Sequence, residues 1–436
     1  MGCLKNISVF GLWHQGIVAS VCLAKNHYVT GYDLDDKLIN DLENNKILVE
    51  EPGLKTLLID CKKKKRLTFK KKISSDISRS DFILISYDTP VNDNDKSDLS
   101  IIFETIEILK KYINEKTILI ITSQVPVGTT NKIKTMIEEY LDKEYHGVAY
   151  IPENLKLGEA IDRFENPNLP VIGTSNKETF QKVEKLFSNF CDKWYKTDIL
   201  TAEMIKHALN SYLSMNITFI NELSDICEKI GANGIELGKL LKLEPRIGKY
   251  ALLRPGLSFA GGTLARDVTY LNNEAKKNKL KIPLLSSIHA SNNEHKKWLN
   301  KSIVEKIGNL SNITVAVWGL TYKTGTDTLR RSLNIELCIW LVKMGINVNI
   351  YDPVIKECPK QLVNKVYYGK GPLDIVESAD ALILGTNWPE FKKVAKKLST
   401  KTKPGFIIFD PNRYLEDHIN KYEFKYYSVG MPKGEY

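Results

Sequence analysis

The N-terminal segment that ends at Asp33 constrains the fold most strongly, because it has the order and length of a β-α-β unit. Residues 7–10 are apolar and β-compatible, residues 11–16 form a turn, residues 17–25 are typical of a helix, and residues 28–32 form a second strand. Such a unit predicts a parallel sheet with helices on both faces.

The same pattern returns in the C-terminal half of the chain. Further strands are predicted at 82–86, 117–122 and 147–151, and again at 313–320, 348–351, 381–384 and 405–410. Between them, residues 201–232 carry apolar side chains at helical spacing. We therefore predict an α/β chain with two Rossmann-like, doubly wound parallel-sheet domains joined by a long central helix. The predicted domains are residues 1–198, 199–300 and 301–436.

Composition narrows the class of protein. The formal net charge is +10, but the lysines are spread along the chain, which favours a solvated surface over a nucleic-acid site. No apolar run approaches the roughly 20 residues that span a bilayer, and the start lacks the features of a secretory signal. The cysteines are scattered without a C-x-x-C pair. We expect a cytoplasmic chain that binds neither membrane nor nucleic acid.

The first turn predicts an NAD site. Gly11 and Gly16 stand where a G-x-G-x-x-G turn belongs, and Asp33 follows at the distance of an acid that bonds the adenosine ribose. The middle glycine is replaced by Trp13, so that binding is displaced, weakened or different in kind. The alternative is a plain tight turn that binds nothing.

Two loops that follow later strands border the nicotinamide end of the predicted site. Thr89 lies in Asp88-Thr-Pro-Val91, and Gln124 lies in Ser123-Gln-Val-Pro-Val-Gly-Thr129. Taken alone, each is only a Pro/Gly turn. The histidines show no paired spacing typical of metal ligands, so no metal is predicted.

A series of short motifs runs along nearly the whole chain in a fixed order. These motifs are Val9-Phe-Gly-Leu12, Glu51-Pro-Gly-Leu54, Asp88-Thr-Pro-Val91, Val125-Pro-Val-Gly-Thr129, Pro152-Glu-Asn-Leu-Lys-Leu-Gly158, Asn166-Pro167, Arg246-Ile-Gly248, Phe259-Ala-Gly-Gly-Thr-Leu-Ala-Arg-Asp267, Gly325-Thr-Asp327, Arg331-Ser332, Asp352-Pro353 and Asn387-Trp-Pro-Glu-Phe391. In this order and spacing the chain resembles the UDP-glucose/GDP-mannose dehydrogenase family.

The resemblance implies an NAD-dependent oxidoreductase that converts the 6-hydroxyl of a nucleotide sugar, such as UDP-glucose, to a uronate for polysaccharide precursors. It implies an N-terminal NAD-binding domain, a central helical region that forms a homodimer, and a C-terminal domain that grips the UDP moiety at the cleft between the halves.

Site roles carry over from the family residue by residue. The resemblance gives Glu153 acid/base work, Lys206 and Asn210 the stabilisation of the sugar 6-oxygen, and Asp267 the activation of water or the nucleophile. Thr263 stands where the family has its nucleophilic cysteine. The resemblance also implies a set of substrate-binding residues, namely Leu155, Arg246, Phe259, Gly261, Tyr322, Lys323 and Arg413. Taken singly, these residues are also compatible with ordinary caps and surface charges.

Departures from the family pattern leave three functions open. Thr263 lacks a thiol, Trp13 replaces a glycine, Gln124 replaces a threonine, and Arg266 replaces a lysine. A threonine hydroxyl is a weak nucleophile unless Lys206 or Asp267 acts as its base. The chain either makes a uronate, or stops after one oxidation or epimerises the sugar with retained NAD, or binds a nucleotide sugar without catalysis.

Overall fold

A computed structural model describes residues 4–49, 51–92, 97–260, 262–420 and 423–432. The chain divides into two compact units, Met1–Leu209 and Asn210–Tyr436. Each unit holds a sheet of its own, and the long helix α8 (Ile199–Ile230) begins in the first unit and continues into the second. This architecture confirms the predicted fold class.

The first unit contains an eight-stranded sheet in the order β3-β2-β1-β4-β5-β6-β7-β8. Its strands are β1 Asn6–Phe10, β2 Tyr28–Tyr32, β3 Leu67–Lys70, β4 Phe82–Ile85, β5 Ile118–Ile121, β6 Val148–Tyr150, β7 Val171–Gly173 and β8 Tyr195–Thr197. Its helices are α1 His14–Ala24, α2 Asp36–Glu43, α3 Leu54–Lys63, α4 Ser100–Leu109, α5 Thr129–Leu141, α6 Ala160–Glu165 and α7 Lys177–Leu186.

One strand pair of the first sheet is antiparallel, a detail that the sequence pattern did not predict. Tyr150 in β6 pairs with Gly173 in β7 in antiparallel fashion, whereas the other strand pairs of this sheet are parallel. The chain that connects two parallel strands must cross to the opposite end of the strands. The chain that connects two antiparallel strands stays at the same end. The connection that carries Glu153 therefore stays at the carboxyl edge of the sheet.

Apolar strands explain why this sheet lies inside the first unit. Strands β4 (Phe-Ile-Leu-Ile) and β5 (Ile-Leu-Ile-Ile) are buried along their whole length. Alternate residues enter two separate hydrophobic clusters, one with Leu84 and Ile120 and the other with Ile85 and Ile121. A strand that is buried on both faces needs helices on both sides, as in a doubly wound sheet.

The second unit contains a six-stranded parallel sheet in the order β11-β10-β9-β12-β13-β14. Its strands are β9 Thr314–Trp318, β10 Asn347–Tyr351, β11 Tyr367–Tyr368, β12 Ala381–Leu384, β13 Ile407–Phe409 and β14 Lys425–Tyr427. Its remaining helices are α9 Gly234–Leu241, α10 Thr263–Lys277, α11 Pro283–His295, α12 Trp298–Ile307, α13 Leu333–Lys343, α14 Pro389–Ala395 and α15 Leu398–Lys401. No helix in the described part of the chain has the length and apolar character needed to cross a membrane.

Candidate active site

The turn after β1 depends on its two glycines. Gly11 has φ of 85°, and a Cβ there would lie 2.7 Å from the backbone nitrogen of Tyr87. A Cβ on Gly16 would lie 1.6 Å from the carbonyl oxygen of Gly11. A larger residue at Gly11 would push the turn away from the segment that follows β4, and one at Gly16 would push α1 away from the turn. The two glycines therefore allow the close packing that a dinucleotide-binding turn needs.

Asp33 closes this turn. Its Oδ2 accepts the Leu12 amide at 2.7 Å, and its Oδ1 accepts the Asp35 amide at 3.1 Å. A carboxylate has about four lone-pair sites, so Asp33 keeps acceptor capacity for ribose hydroxyls and fits the predicted NAD site. Trp13 immediately precedes α1 and is 46% exposed. Its indole adds bulk at the start of the helix, where the dinucleotide-binding turn normally has none.

The two loops predicted at the nicotinamide end lie against each other. The Thr89 hydroxyl donates to the backbone oxygen of Gln124 at 2.7 Å. Two side chains of α8 hold the same stretch of chain, because His207 Nε2 lies 3.0 Å from the Val125 oxygen and Glu203 accepts two amides at the start of α5. Sequence reasoning missed Glu203 and His207, which carry no local motif.

Glu203 is a fully buried carboxylate. It accepts the Gly128 amide at 2.5 Å and the Thr130 amide at 2.8 Å. Burial raises the pKa of Glu203 above its usual value, and the backbone hydrogen bonds oppose that shift only in part. Burial of Glu203 is therefore unfavourable for its charge, but its two hydrogen bonds fix the position of the loop before α5.

Glu153 and Lys206 lie close together in the first unit. Glu153 Oε2 is 3.7 Å from Lys206 Nζ, which also donates to Asn154 Oδ1 at 3.4 Å. Lys206 is only 8% exposed, and the other Glu153 oxygen accepts the Leu155 amide. The segment between β6 and α6 that carries Glu153 borders a small cavity of about 70 Å³, lined in part by Gln15, Glu153 and Leu155. A carboxyl group that can exchange a proton thus lies beside an ammonium group, and both side chains are largely buried.

Asn210 and Asp267 form a second buried pair, in the second unit. Asn210 Nδ2 donates to Asp267 Oδ2 at 2.5 Å, and Asp267 is fully buried. Thr263 is the first residue of α10 and is exposed, one turn before Asp267 and on the same face of the helix. The predicted Gly261 lies outside the described residues.

Amide side chains fix the loop that precedes α10. Asn292 accepts the Phe259 amide at 3.0 Å and donates to the Phe259 oxygen at 2.8 Å. Asn412 accepts the Leu257 amide at 3.0 Å. Both neighbours of Ser258 are thus held, so the position of Ser258 is also defined.

A polar pocket of about 350 Å³ opens beside this loop. It contains the predicted Tyr322 and Lys323. It also contains Ser258, Asn334 and Asn387, which sequence reasoning missed. Within the described residues, Ser258 Oγ and Asn387 Oδ1 are buried without a hydrogen-bond partner. Buried polar atoms are normally satisfied, and these two belong to residues that line the pocket, so they are placed where a bound ligand could complete their hydrogen bonds.

The two predicted arginines are not among the residues that line this pocket. Arg413 is 7% exposed and donates to the backbone oxygens of Val429 at 2.8 Å and Pro255 at 3.3 Å. Burial lowers the pKa of Arg413. Arg246 is exposed and pairs with Glu244 at 2.8 Å. Arg413 thus holds the Pro255 segment, and its neighbour Asn412 reaches the pocket.

The C-terminal sheet repeats the local chemistry of the first turn. Asp352, after β10, accepts the Leu320 amide at 2.7 Å and the Thr321 amide at 3.1 Å. Gly319, after β9, has φ of 90°. An acidic residue thus follows the second strand of each sheet and accepts amides of the turn after the first strand. No group of three or more possible metal ligands occurs among the described residues.

Known proteins match the chain over nearly its whole length. Residues 5–191 match the NAD binding domain of the UDP-glucose/GDP-mannose dehydrogenase family, residues 200–294 its central domain, and residues 316–417 its UDP binding domain. A UDP-glucose 6-dehydrogenase from Rickettsia prowazekii is 31% identical, with 98% of this chain and 99% of the relative covered. The enzyme TuaD of Bacillus subtilis, also named a UDP-glucose 6-dehydrogenase, is 30% identical, with 98% and 94% covered.

Solved structures share the fold. A UDP-glucose dehydrogenase from Pyrobaculum islandicum superposes with a TM-score of 0.84 at 24% identity, with 98% of each chain covered. A UDP-D-ManNAc dehydrogenase from Pyrococcus horikoshii gives 0.82 at 25% identity, with 98% of this chain and 99% of the other covered. With its NAD-binding turn and polar pocket, the chain belongs to the UDP-glucose/GDP-mannose dehydrogenase family of NAD-dependent oxidoreductases.

Proposed function

We propose that this chain oxidises the 6-hydroxyl of a UDP-hexose to the uronate with NAD, and that UDP-glucose is its substrate. The names of the relatives at 30–32% identity and the match to a UDP binding domain support this proposal. The same relatives favour uronate formation over a single oxidation, an epimerisation or binding alone. The observation that carries the proposal is the shielded pair of Glu153 and Lys206 at 3.7 Å.

NAD, when bound, supplies the acceptor for the hydrides that leave the sugar carbon. The residues proposed to hold it are Gly11, Trp13, Gly16, Asp33, Thr89 and Gln124. The close packing of the turn, in which a Cβ on Gly11 would clash with Tyr87 and one on Gly16 with the Gly11 oxygen, supports this set. Asp33 would accept the ribose hydroxyls, and its negative charge would oppose a 2′-phosphate, which favours NAD over NADP.

The proposed catalytic residues have different roles: some stabilise charge on the substrate, and the others transfer protons. The Lys206 ammonium and the Asn210 amide would donate to the sugar 6-oxygen and stabilise the alkoxide that forms when the hydroxyl proton passes to a water molecule. Asp267 would activate either the Thr263 hydroxyl or a water molecule to add to the aldehyde, so that the carbon can lose a second hydride. Loss of hydride from the hydrate gives the carboxylate directly, whereas with Thr263 it leaves an ester on the threonine oxygen. Glu153 would then exchange protons with the water that hydrolyses this ester and frees the Thr263 hydroxyl.

Substrate binding is proposed for Leu155, Phe259, Gly261, Tyr322 and Lys323. The loop at Phe259 is supported by its two bonds to Asn292. Arg413 would support the Pro255 segment rather than meet the phosphates. These roles correspond to three proposed regions: residues 1–198 for NAD, 199–300 for dimerisation and the substrate loop, and 301–436 for the UDP-sugar.

A homodimer in the cytoplasm is the proposed assembly. Tyr212, Phe219 and Ile226 on α8 are each about half exposed and follow one another at seven-residue intervals. Seven residues are close to two helical turns, so the three side chains share a face. Large apolar side chains that share an exposed face mark a protein interface. In such a dimer, Arg246 is proposed to reach the substrate of the neighbouring subunit.

A substrate panel tests the proposed activity. Purified protein is incubated with NAD and, separately, with UDP-glucose, UDP-N-acetylhexosamines, GDP-mannose and TDP-glucose, and NADH and products are measured. UDP-glucose is expected to yield UDP-glucuronate. Turnover of GDP-mannose alone would overturn the assignment of the base, and no turnover of any sugar would overturn the proposed function.

A further inference from the structure

Glu51 is a buried carboxylate that has no part in the proposed chemistry. It begins the Glu51-Pro-Gly-Leu54 motif, and its side chain is 1% exposed. A buried charge is tolerated only where hydrogen bonds or a partner charge compensate for lost water. The donors around Glu51 therefore show which parts of the unit it holds together.

Three donors from two parts of the first unit converge on this carboxylate. Glu51 Oε1 lies 2.7 Å from His14 Nε2 and accepts the Gly158 amide at 2.9 Å. Its Oε2 accepts the Ala160 amide at 3.2 Å. His14 directly follows Trp13 and opens α1. Gly158 lies near the end of the irregular stretch 151–159, here called the Glu153 loop, and Ala160 opens α6.

The start of α1 also meets the other end of the Glu153 loop. Gln15 and Ala19 of α1 line the same small cavity as Pro152, Glu153 and Leu155. The first turns of α1 thus lie beside the beginning of the Glu153 loop. Through Glu51 they are also connected to the end of that loop. A ligand on the cofactor turn cannot shift His14 without changing the bonds that hold the loop.

We propose that Glu51 is a positioning residue that couples occupancy of the cofactor turn to the placement of the Glu153 loop. The proposal rests on the proposed function, because that function assigns NAD to the turn and the sugar to the loop. Two ligands coupled in this way must change each other's affinity by the same factor. The coupling passes through His14, Glu51 and the amides of Gly158 and Ala160.

Two variants break this connection in different ways. Glu51→Gln replaces one acceptor oxygen with an N–H donor, so it loses bonds either to Oε1 or to Oε2. His14→Leu leaves both loop bonds of Glu51 in place and removes only the connection to α1. Glu165→Gln is the matched control, because Glu165 ends α6 and pairs at 2.5 Å with Lys25, the residue after α1, at the opposite end of the same two helices.

The test measures the dissociation constant of UDP-glucose by calorimetry, with and without saturating NADH, in full-length protein that remains folded. Wild type is expected to bind UDP-glucose at least about fivefold differently when NADH is present. Glu51→Gln and His14→Leu are expected to bring that ratio close to one, while Glu165→Gln keeps it. His14→Leu decides the matter if Glu51→Gln does not fold.

The two proposals fail in different ways. A wild-type ratio of one, or a wild-type ratio retained in either folded variant, would overturn the coupling role of Glu51 and leave the proposed function intact. Wild type that binds neither NADH nor UDP-glucose would overturn the proposed function, and the coupling with it. A loss of thermal stability in Glu51→Gln without a change in the ratio would reduce Glu51 to a structural residue.

Discussion

At the scale of single residues, the polar pocket is defined by hydrogen-bonding atoms that the protein does not use itself. Ser258 is 6% exposed, its hydroxyl has no partner among the described residues, and the residues on either side are fixed by Asn292 and Asn412. Leaving a buried hydroxyl without a partner is costly. A hydrogen bond from this hydroxyl to the bound nucleotide sugar would offset that unfavourable free energy.

Ser258→Ala is therefore expected to raise the KM for UDP-glucose by roughly three- to tenfold, because a neutral hydrogen bond contributes about 0.5–1.5 kcal/mol. The kcat should change little, since the bond is present in both the ground and the transition state. Ser428→Ala is the control: Ser428 is also buried with an unpartnered hydroxyl, but it is not among the residues that line the pocket. An unchanged KM in Ser258→Ala would exclude a ligand contact.

Thr263 is the residue proposed to determine whether the second oxidation takes place. It is exposed at the start of α10, one turn before the buried Asp267. If its hydroxyl takes part in the second step, Thr263→Ala is expected to form one NADH per sugar and release an aldehyde, because the first step does not need it. Thr263→Ser keeps a hydroxyl and should again form two NADH per sugar. Wild-type rate and yield in Thr263→Ala would remove this residue from the mechanism and leave water as the nucleophile.

At the scale of elements, α8 organises the cofactor side of the first unit. Glu203 and His207 lie one turn apart on this helix, and both bond the stretch between Val125 and Thr130. The Gln124 loop is thus held by a buried carboxylate whose pKa is raised by desolvation. This arrangement makes the stability of the first unit depend on pH.

The sign of that dependence follows from proton binding. Unfolded chain loses the Glu203 proton near pH 4.5, and folded chain loses it at a higher pH. Between these values the folded chain holds more protons, so the free energy of unfolding falls as pH rises. As the pH rises above 4.5, wild type should therefore lose stability relative to Glu203→Gln, as measured by denaturant unfolding. The exposed Glu222 of the same helix provides the control Glu222→Gln, and an equal slope in both variants would contradict the prediction.

Strong local patterns made most of the strands and the long helix α8 predictable. The strands at β1, β2, β4, β5, β9 and β12 and the helix α8 were predicted within about two residues of their observed bounds, because their apolar runs are long or periodic. The short strands β7, β8, β11 and β14 were missed, since two or three residues give little pattern. The antiparallel pairing of β6 with β7 was also missed, because a sequence does not show to which edge a connection returns.

The candidate site was predictable only in part. Single positions such as Gly11, Asp33, Glu153 and Lys206 stand in recognisable motifs. The contact between Glu153 and Lys206, the convergence on Glu51 and the unpartnered hydroxyl of Ser258 arise from tertiary structure. No spacing along the chain encodes them.

At the scale of the whole molecule, the exposed stripe of Tyr212, Phe219 and Ile226 predicts self-association. Phe219→Asp places a charge at the centre of the stripe and is expected to give monomers by sedimentation where wild type gives dimers, because burying an unpaired charge is costly. Tyr195→Asp, which alters an equally exposed aromatic residue on β8, should leave the dimer intact. Monomeric wild type, or dimeric Phe219→Asp, would contradict the proposed assembly.

The central claim is that a chain with Thr263 in the nucleophile position still completes both oxidations of a nucleotide sugar. The most direct test counts the NADH formed for each UDP-glucose consumed by the wild-type protein and identifies the product. Two NADH per sugar, with UDP-glucuronate as the product, is the predicted result. One NADH with an aldehyde product, or an altered sugar with no net NADH, would contradict it.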